Sequence, residues 1–149
     1  MSTYLLDTNV VVRLMEPAAI EHTIVRNAIH RLIEAGNTLV LAPQVLTELW
    51  VVATRPVEVN GFGWSPSATS AVIARLRGQF PLLEEGTATF ERWLALVEAA
   101  EIRGKRAHDA RLAAVMLSQG ISQILTLNPA DFRGLQDVVA VVPSTIVAI

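Results

Sequence analysis

The chain has 149 residues, 52% of them apolar, a formal charge of −2 and no cysteine. That length suits one domain able to bury its own core; no apolar run approaches the roughly 18 residues of a membrane span, and disulfides and thiolate metal sites are excluded. The opening lacks the basic stretch of a secretory leader, so a reducing cytoplasm is the expected compartment, and a pI near 5.9 means that any grip on nucleic acid is local, metal-bridged or shared with a second subunit.

Residues 3–6 read as a short buried strand closed by Asp7-Thr8-Asn9. Residues 9–16 turn helical and stop at Pro17. A second helix spans 18–35, with Ile20, Ile24, Ala28, Leu32 and Ile33 near helical spacing and Gly36 past its end. Residues 38–41 make a second strand. Pro43 suits the first turn of a third helix, which runs to about residue 54 because Pro56 disfavours helical geometry at Arg55. Residues 57–64 form a loop containing Gly61 and Gly63, with Phe62 and Trp64 expected to be exposed. Ser65-Pro66 is an N-cap followed by proline and opens a helix that stops near Gly78. A third strand is expected at 80–83, then helices at 87–102 and 107–119 ended by Gly104 and Gly120. Residues 122–127 and 138–142 supply the last two strands.

Strands alternating with helices imply an α/β fold: a parallel sheet of about five strands with helices on both faces. Such sheets hold ligands outside the carboxyl ends of their strands, where strand order reverses. Asp7 follows the first strand, and Asn128 and Asp131 follow the fourth. Order 3-2-1-4-5 makes those two strands neighbours and brings the three residues to one crevice.

The chain has only four aspartates, and Asp7, Asp109 and Asp131 each stand where a strand hands over to a loop or a helix begins. Like charges held close raise one another's pKa, so a convergence of these acids points to a bound divalent cation. Each also has a plainer reading. Asp7 before an apolar helix is good capping chemistry. Glu48 flanks the stripe Val45, Leu46, Leu49, Val52 and Ala53, which suits a solvated glutamate at the edge of a face. Asp109 shares an inward stripe with Leu112, Ala113 and Met116, where the free N–H groups of its helix could answer its charge. His108, one helical step away, reads as a surface or capping residue. Asn128-Pro129 starts a turn, and Asp131 can cap it. Their common placement at one sheet edge, not any single position, points to chemistry.

The segments Leu5-Leu6-Asp7-Thr8-Asn9-Val10, Thr47-Glu48-Leu49, His108-Asp109-Ala110-Arg111-Leu112-Ala113-Ala114 and Thr126-Leu127-Asn128-Pro129-Ala130-Asp131-Phe132 together resemble a PIN-domain ribonuclease, and more narrowly a VapC-type toxin of toxin–antitoxin pairs. The resemblance runs from residue 3 to about 142, in register. It implies a single PIN domain over 1–149, a three-layer α/β/α sandwich, with an acidic pocket for Mg²⁺ or Mn²⁺. On that likeness the catalytic acids fall on Asp7, Glu48, Asp109 and Asp131, with Asp7 and Asp109 as direct metal ligands. Thr8, Asn9 and Asn128 are supporting residues. The family's fourth acid commonly stands in a Thr-x-Asp pattern; here Asn128 takes that place, and the role passes to Asp131.

The likeness further implies an RNA substrate, products with 5′-phosphate and 3′-hydroxyl ends, a homodimer, and a small antitoxin that often pushes an arginine into the acidic pocket. Such an ion keeps several waters and takes one or two carboxylates, and Glu48 or Asp131 could hold the attacking water as base or orienter, or bind a second ion. Arg13, Arg55, Arg75, Arg77, Lys105 and Arg106 are candidates for phosphate contacts; the 57–64 loop could stack a base or pack a partner. Two rivals exist. A dehalogenase-like phosphotransferase wants an aspartate where Asn9 stands. A PIN-like domain that binds RNA or protein without cutting is the alternative that Asn128 keeps open.

Overall fold

A computed structural model describes residues 1–148, one short of the expected domain. Strands β1 (Thr3–Leu6), β2 (Thr38–Val40), β3 (Gln123–Leu125) and β4 (Val139–Val141) form one parallel sheet in the order β2-β1-β3-β4. The register sets Leu5 beside Val40 on one flank and Ile124 on the other. A central strand covered on both faces must be apolar on both, and Leu5, Leu6, Ile124 and Leu125 are fully buried. Each contributes roughly 2 kcal/mol by leaving water.

The strand expected at 80–83 is reduced to one bridge, Leu41 with Leu82, beyond β2. It keeps the expected place at the edge, so the order holds while the strand count falls to four. Pro81 explains the loss. Its carbonyl accepts from Leu41 N at 2.8 Å, but it has no N–H for a ladder and confines the segment to an edge contact.

Helices α1 (Thr8–Leu14), α2 (His22–Glu34), α3 (Pro43–Thr54) and α4 (Pro66–Gln79) precede α5 (Thr87–Ala99) and α6 (Arg106–Ser118). A last short helix, α7 (Pro143–Val147), was not expected and packs on α2. The second helix starts four residues later than its apolar spacing implied, and Ile20 is left almost fully exposed. Crossovers between parallel strands are right-handed. The outward run from β1 to β2 therefore lays its helices on one face, and the return to β3 lays α5 and α6 on the other. Helix α6 is buried around most of its circumference at Ala110, Leu112, Ala113, Ala114, Val115, Met116 and Leu117. No helix among the described residues is long and apolar enough to cross a membrane.

Residues 57–64 do not form an open loop. Phe62, Gly63 and Trp64 return their amides to the carbonyls of Val52, Arg55 and Ala53 at 3.0, 2.9 and 2.8 Å. The segment is a strap over the end of α3. Phe62 and Trp64 are half-buried and pack ring to ring at 5.1 Å, not exposed as expected. Gly61 lies so close to the chain that a Cβ there would overlap the Arg55 carbonyl.

Candidate active site

Strand order reverses between β1 and β3, and the crevice beyond their carboxyl ends is where such sheets bind ligands. An open cleft of about 780 Å³ lies there, and Asp7, Thr8, Asn9, Glu48, Asp109 and Asp131 all line it. Asp7 ends β1 and caps α1; Glu48 lies one turn into α3; Asp109 sits in the first turn of α6. Asp131 belongs to a short 3-10 turn, Pro129–Phe132, after β3. Asn128 instead lines a neighbouring groove of about 600 Å³, together with His108, Lys105 and Arg106. Of the two residues after β3, Asp131 faces the cleft that holds Asp7.

Asp7 is 6% exposed, and a buried carboxylate needs partners. Its Oδ1 accepts from Thr8 N at 2.7 Å, and its Oδ2 accepts from the Thr126 hydroxyl at 2.7 Å. The capping reading of Asp7 and its place in the cleft therefore hold together. Thr126 is fully buried, and its oxygen also accepts from Asn128 N at 3.0 Å and Asn9 Nδ2 at 3.3 Å. Asn9 Oδ1 accepts from Leu127 N at 3.0 Å. Asn9 and Thr126 thus stitch the ends of β1 and β3 together beneath the acids.

Three positioning roles escaped the sequence reading: those of Thr126, Gln44 and Arg106. Thr126 reads in the sequence only as the first residue of its segment. Gln44 Nε2 donates to Glu48 Oε1 and to the His108 carbonyl, both at 3.0 Å, tying α3 to α6. Its i, i+4 spacing from Glu48 was the available signal. Arg106 donates to the carbonyls of Asp131 and Arg133 and so braces the turn that carries Asp131. That use differs from the expected phosphate contact. Arg13 lines the cleft but is paired with Glu16 and Glu21. Arg55 lines it and donates to the Asn60 carbonyl at 3.0 Å. Arg75 and Arg77 are exposed on α4, outside the residues that line the cleft.

Burial pushes the Asp7 carboxyl up to about 6; the Thr126 and Thr8 bonds oppose the rise, and the charges of Glu48 and Asp131 add to it. Burial, then Asp131, Asp7 and Glu48, push Asp109 up to about 7, with Arg106 alone pulling it down. The ion pairs found among the described residues take none of the four acids. Thr8 Oγ1, also on the cleft wall, is buried without a hydrogen-bond partner. Uncompensated oxygens of this kind fit a hard divalent cation. No three acidic or histidine side chains among the described residues are grouped closely enough to hold a metal ion together; a magnesium-type site, which keeps several waters, takes one or two carboxylates.

These shifts have a measurable sign. Both carboxyls hold protons more tightly in the folded protein than in the unfolded chain, so their ionisation weakens the metal-free fold as pH rises. For Asp109 the penalty is absent below about 4 and complete above about 7. Asp109→Asn removes that charge. In chelator it is expected to raise the thermal midpoint by a few degrees near pH 8, and by less near pH 5. Equal shifts at both pH values would remove the repulsion account.

A family model described as PIN domain matches residues 4–136. No curated protein matches the chain. Among solved structures, VapBC2 from Rickettsia felis bound to a promoter DNA fragment superposes with a TM-score of 0.72 at 15% identity, covering 94% of this chain and 98% of that one. VapBC-1 from nontypeable Haemophilus influenzae gives 0.71 at 19% identity, covering 95% and 98%. VapC20 from Mycobacterium tuberculosis, described as a sarcin-ricin-loop-cleaving toxin, gives 0.58 at 22%, covering 83% and 87%. At such identities the likeness speaks for the fold.

Proposed function

This chain belongs to the PIN domain family, and on that premise we propose that it is a divalent-metal-dependent endoribonuclease, the toxin of a toxin–antitoxin pair, acting in the cytoplasm as a single catalytic domain. The observation that carries the reading is the convergence of Asp7, Glu48, Asp109 and Asp131 on one cleft at the switch point of the sheet. Asp7 and Asp109, whose pKa values are raised by burial and by the other acids, would hold Mg²⁺ or Mn²⁺. When bound, such an ion supplies Lewis acidity and neutralises charge on a phosphodiester.

The chain's own groups do the rest. Thr126 and Thr8 fix the Asp7 carboxylate, so no reorientation is needed when substrate arrives. Glu48, steadied by the Gln44 amide, is the group we assign to orient the attacking water and receive its proton. Asp131, braced through Arg106, shares that task from the turn after β3. The alternative, a PIN-like binder that no longer cuts, leaned on Asn128. The cleft has Asp131 on its wall, so four acids line it despite that asparagine.

For partners, several of the similar structures are toxin–antitoxin complexes. A groove with an apolar floor of Leu14, Met15, Ile29, Ile33 and Phe80, flanked by Arg26, His30, Glu34 and Gln79, is the face we assign to an antitoxin helix, and a homodimer completes the assembly. The test of function is cleavage of an end-labelled RNA panel with Mg²⁺ or Mn²⁺. Chelation is expected to abolish cutting and readdition of metal to restore it. Cutting that persists in chelator, or RNA bound but never cut at any metal concentration, would replace this reading with the binder.

A further inference from the structure

We propose that Phe90 and Trp93 of α5 form a stacking subsite for a nucleobase that flanks the cut in the RNA strand. The substrate class rests on the ribonuclease reading above; the pocket does not. A cavity of about 340 Å³ opens between α5 and α6, walled by the two rings, Arg111 and Glu85. That size is within the range of small-ligand sites.

An aromatic pair three residues apart on a helix is ordinarily a packing contact. This pair differs in three ways. Phe90 is 58% exposed, so its ring is turned to solvent and not used by the core. Trp93 is fixed, because its Nε1 donates to the Ala107 carbonyl at 2.8 Å. The rings touch at a tilt, centroids 5.7 Å apart at 40°, so Trp93 backs one side of Phe90 and leaves its other side open. Arg111 completes the pocket with its guanidinium held by Glu85 at 2.7 Å. A planar cation beside aromatic faces suits a base, which offers a π-face and a polar edge.

The pocket is also joined to the cleft. Arg111 lines the groove that holds Lys105 and His108, and that groove shares Glu48, Asp109 and Asp131 with the acidic cleft. Ala107, which anchors the indole, stands in the same first turn of α6 as Asp109. A strand whose backbone crosses the acids can follow the groove past Lys105 and Arg111 and lay a neighbouring base on the exposed side of Phe90. Stacking of this kind tolerates any base, which makes the subsite one for affinity and register, with sequence choice left to the Arg111 and Glu85 edges. A protein side chain or a second copy of the chain is the rival occupant. The shared lining between pocket, groove and acids favours the base.

The test measures the dissociation constant of a labelled single-stranded ten-nucleotide RNA in the Asp109→Asn background, with Mg²⁺ present and the strand left uncut. Phe90→Ala is expected to weaken binding roughly tenfold or more, and Phe90→Tyr to restore it. The salt dependence is expected to stay unchanged, since no phosphate contact is lost. An abasic substitution walked along the strand should abolish the Phe90→Ala difference at one position. In the active enzyme the same change is expected to raise KM and leave kcat. An unchanged dissociation constant overturns the proposal. So does a Phe90→Ala protein that falls from dimer to monomer in sedimentation while each subunit binds RNA as before, which makes the face a contact between copies. Phe90-dependent binding by a wild-type protein that never cuts RNA supports the subsite and overturns only the nuclease reading.

Discussion

Asp109→Asn is expected to lower RNA cleavage by roughly a hundred- to a thousandfold, the scale on which enzymes lose rate when a group that stabilises developing charge is removed, while the fold survives. Asparagine keeps the shape of the side chain and relieves the repulsion that raises the Asp109 carboxyl to about 7. No hydrogen bond found among the described residues depends on that carboxylate. Single-turnover cleavage at saturating Mg²⁺ reads the effect, and circular dichroism excludes unfolding. Asp7→Asn is expected to be as inactive but less informative. An amide at that place can accept from the Thr126 hydroxyl or from Thr8 N through its one oxygen, where the carboxylate serves both. Activity within a few fold of wild type in Asp109→Asn would remove Asp109 from the catalytic set.

Thr126→Val is expected to damage stability and activity together. Valine fills the same volume, but the buried hydroxyl serves three partners: Asp7 Oδ2, Asn128 N and Asn9 Nδ2. A hydrogen bond to a charged group is worth roughly 1.5–3 kcal/mol, and the stranded amide adds a desolvation penalty of its own. The thermal midpoint should fall by several degrees. Cleavage should fall at least roughly tenfold, because Asp7 loses the bond that sets its orientation. Thr126→Ser keeps the hydroxyl and is expected to recover most of both. Full activity in Thr126→Val would make the residue one of packing alone.

The contrast between Asp109 and Thr126 marks how much of this molecule its sequence disclosed. Strand β1, helix α3 and helix α6 were legible because punctuation is local: Asp7 closes one, Pro43 and Pro56 bracket another, Gly120 follows the third. The edge strand at 80–83 misled because its apolar run contains Pro81, and α7 because Thr145, Ile146 and Val147 are β-branched and their helix draws on contact with α2. At the site, the acids stood out as unusual residues at strand ends and helix starts. Thr126 bonds to a residue 119 positions away, and Arg106 works through backbone carbonyls. Neither kind of partnership leaves a periodic trace. The expected exposure of Phe62 failed for the same reason, since the strap that carries it is pinned to α3 by main-chain bonds.

Helix α6 is packed on nearly every side, and this bears on how the cleft can be lost. Its amide protons can meet solvent only when the elements around it separate, so hydrogen exchange there should run on the clock of global unfolding, not of local fraying. Asp109 stands one residue ahead of that packed stretch, in a half-buried first turn, so the rod behind it anchors the carboxylate against every motion short of fraying at that end.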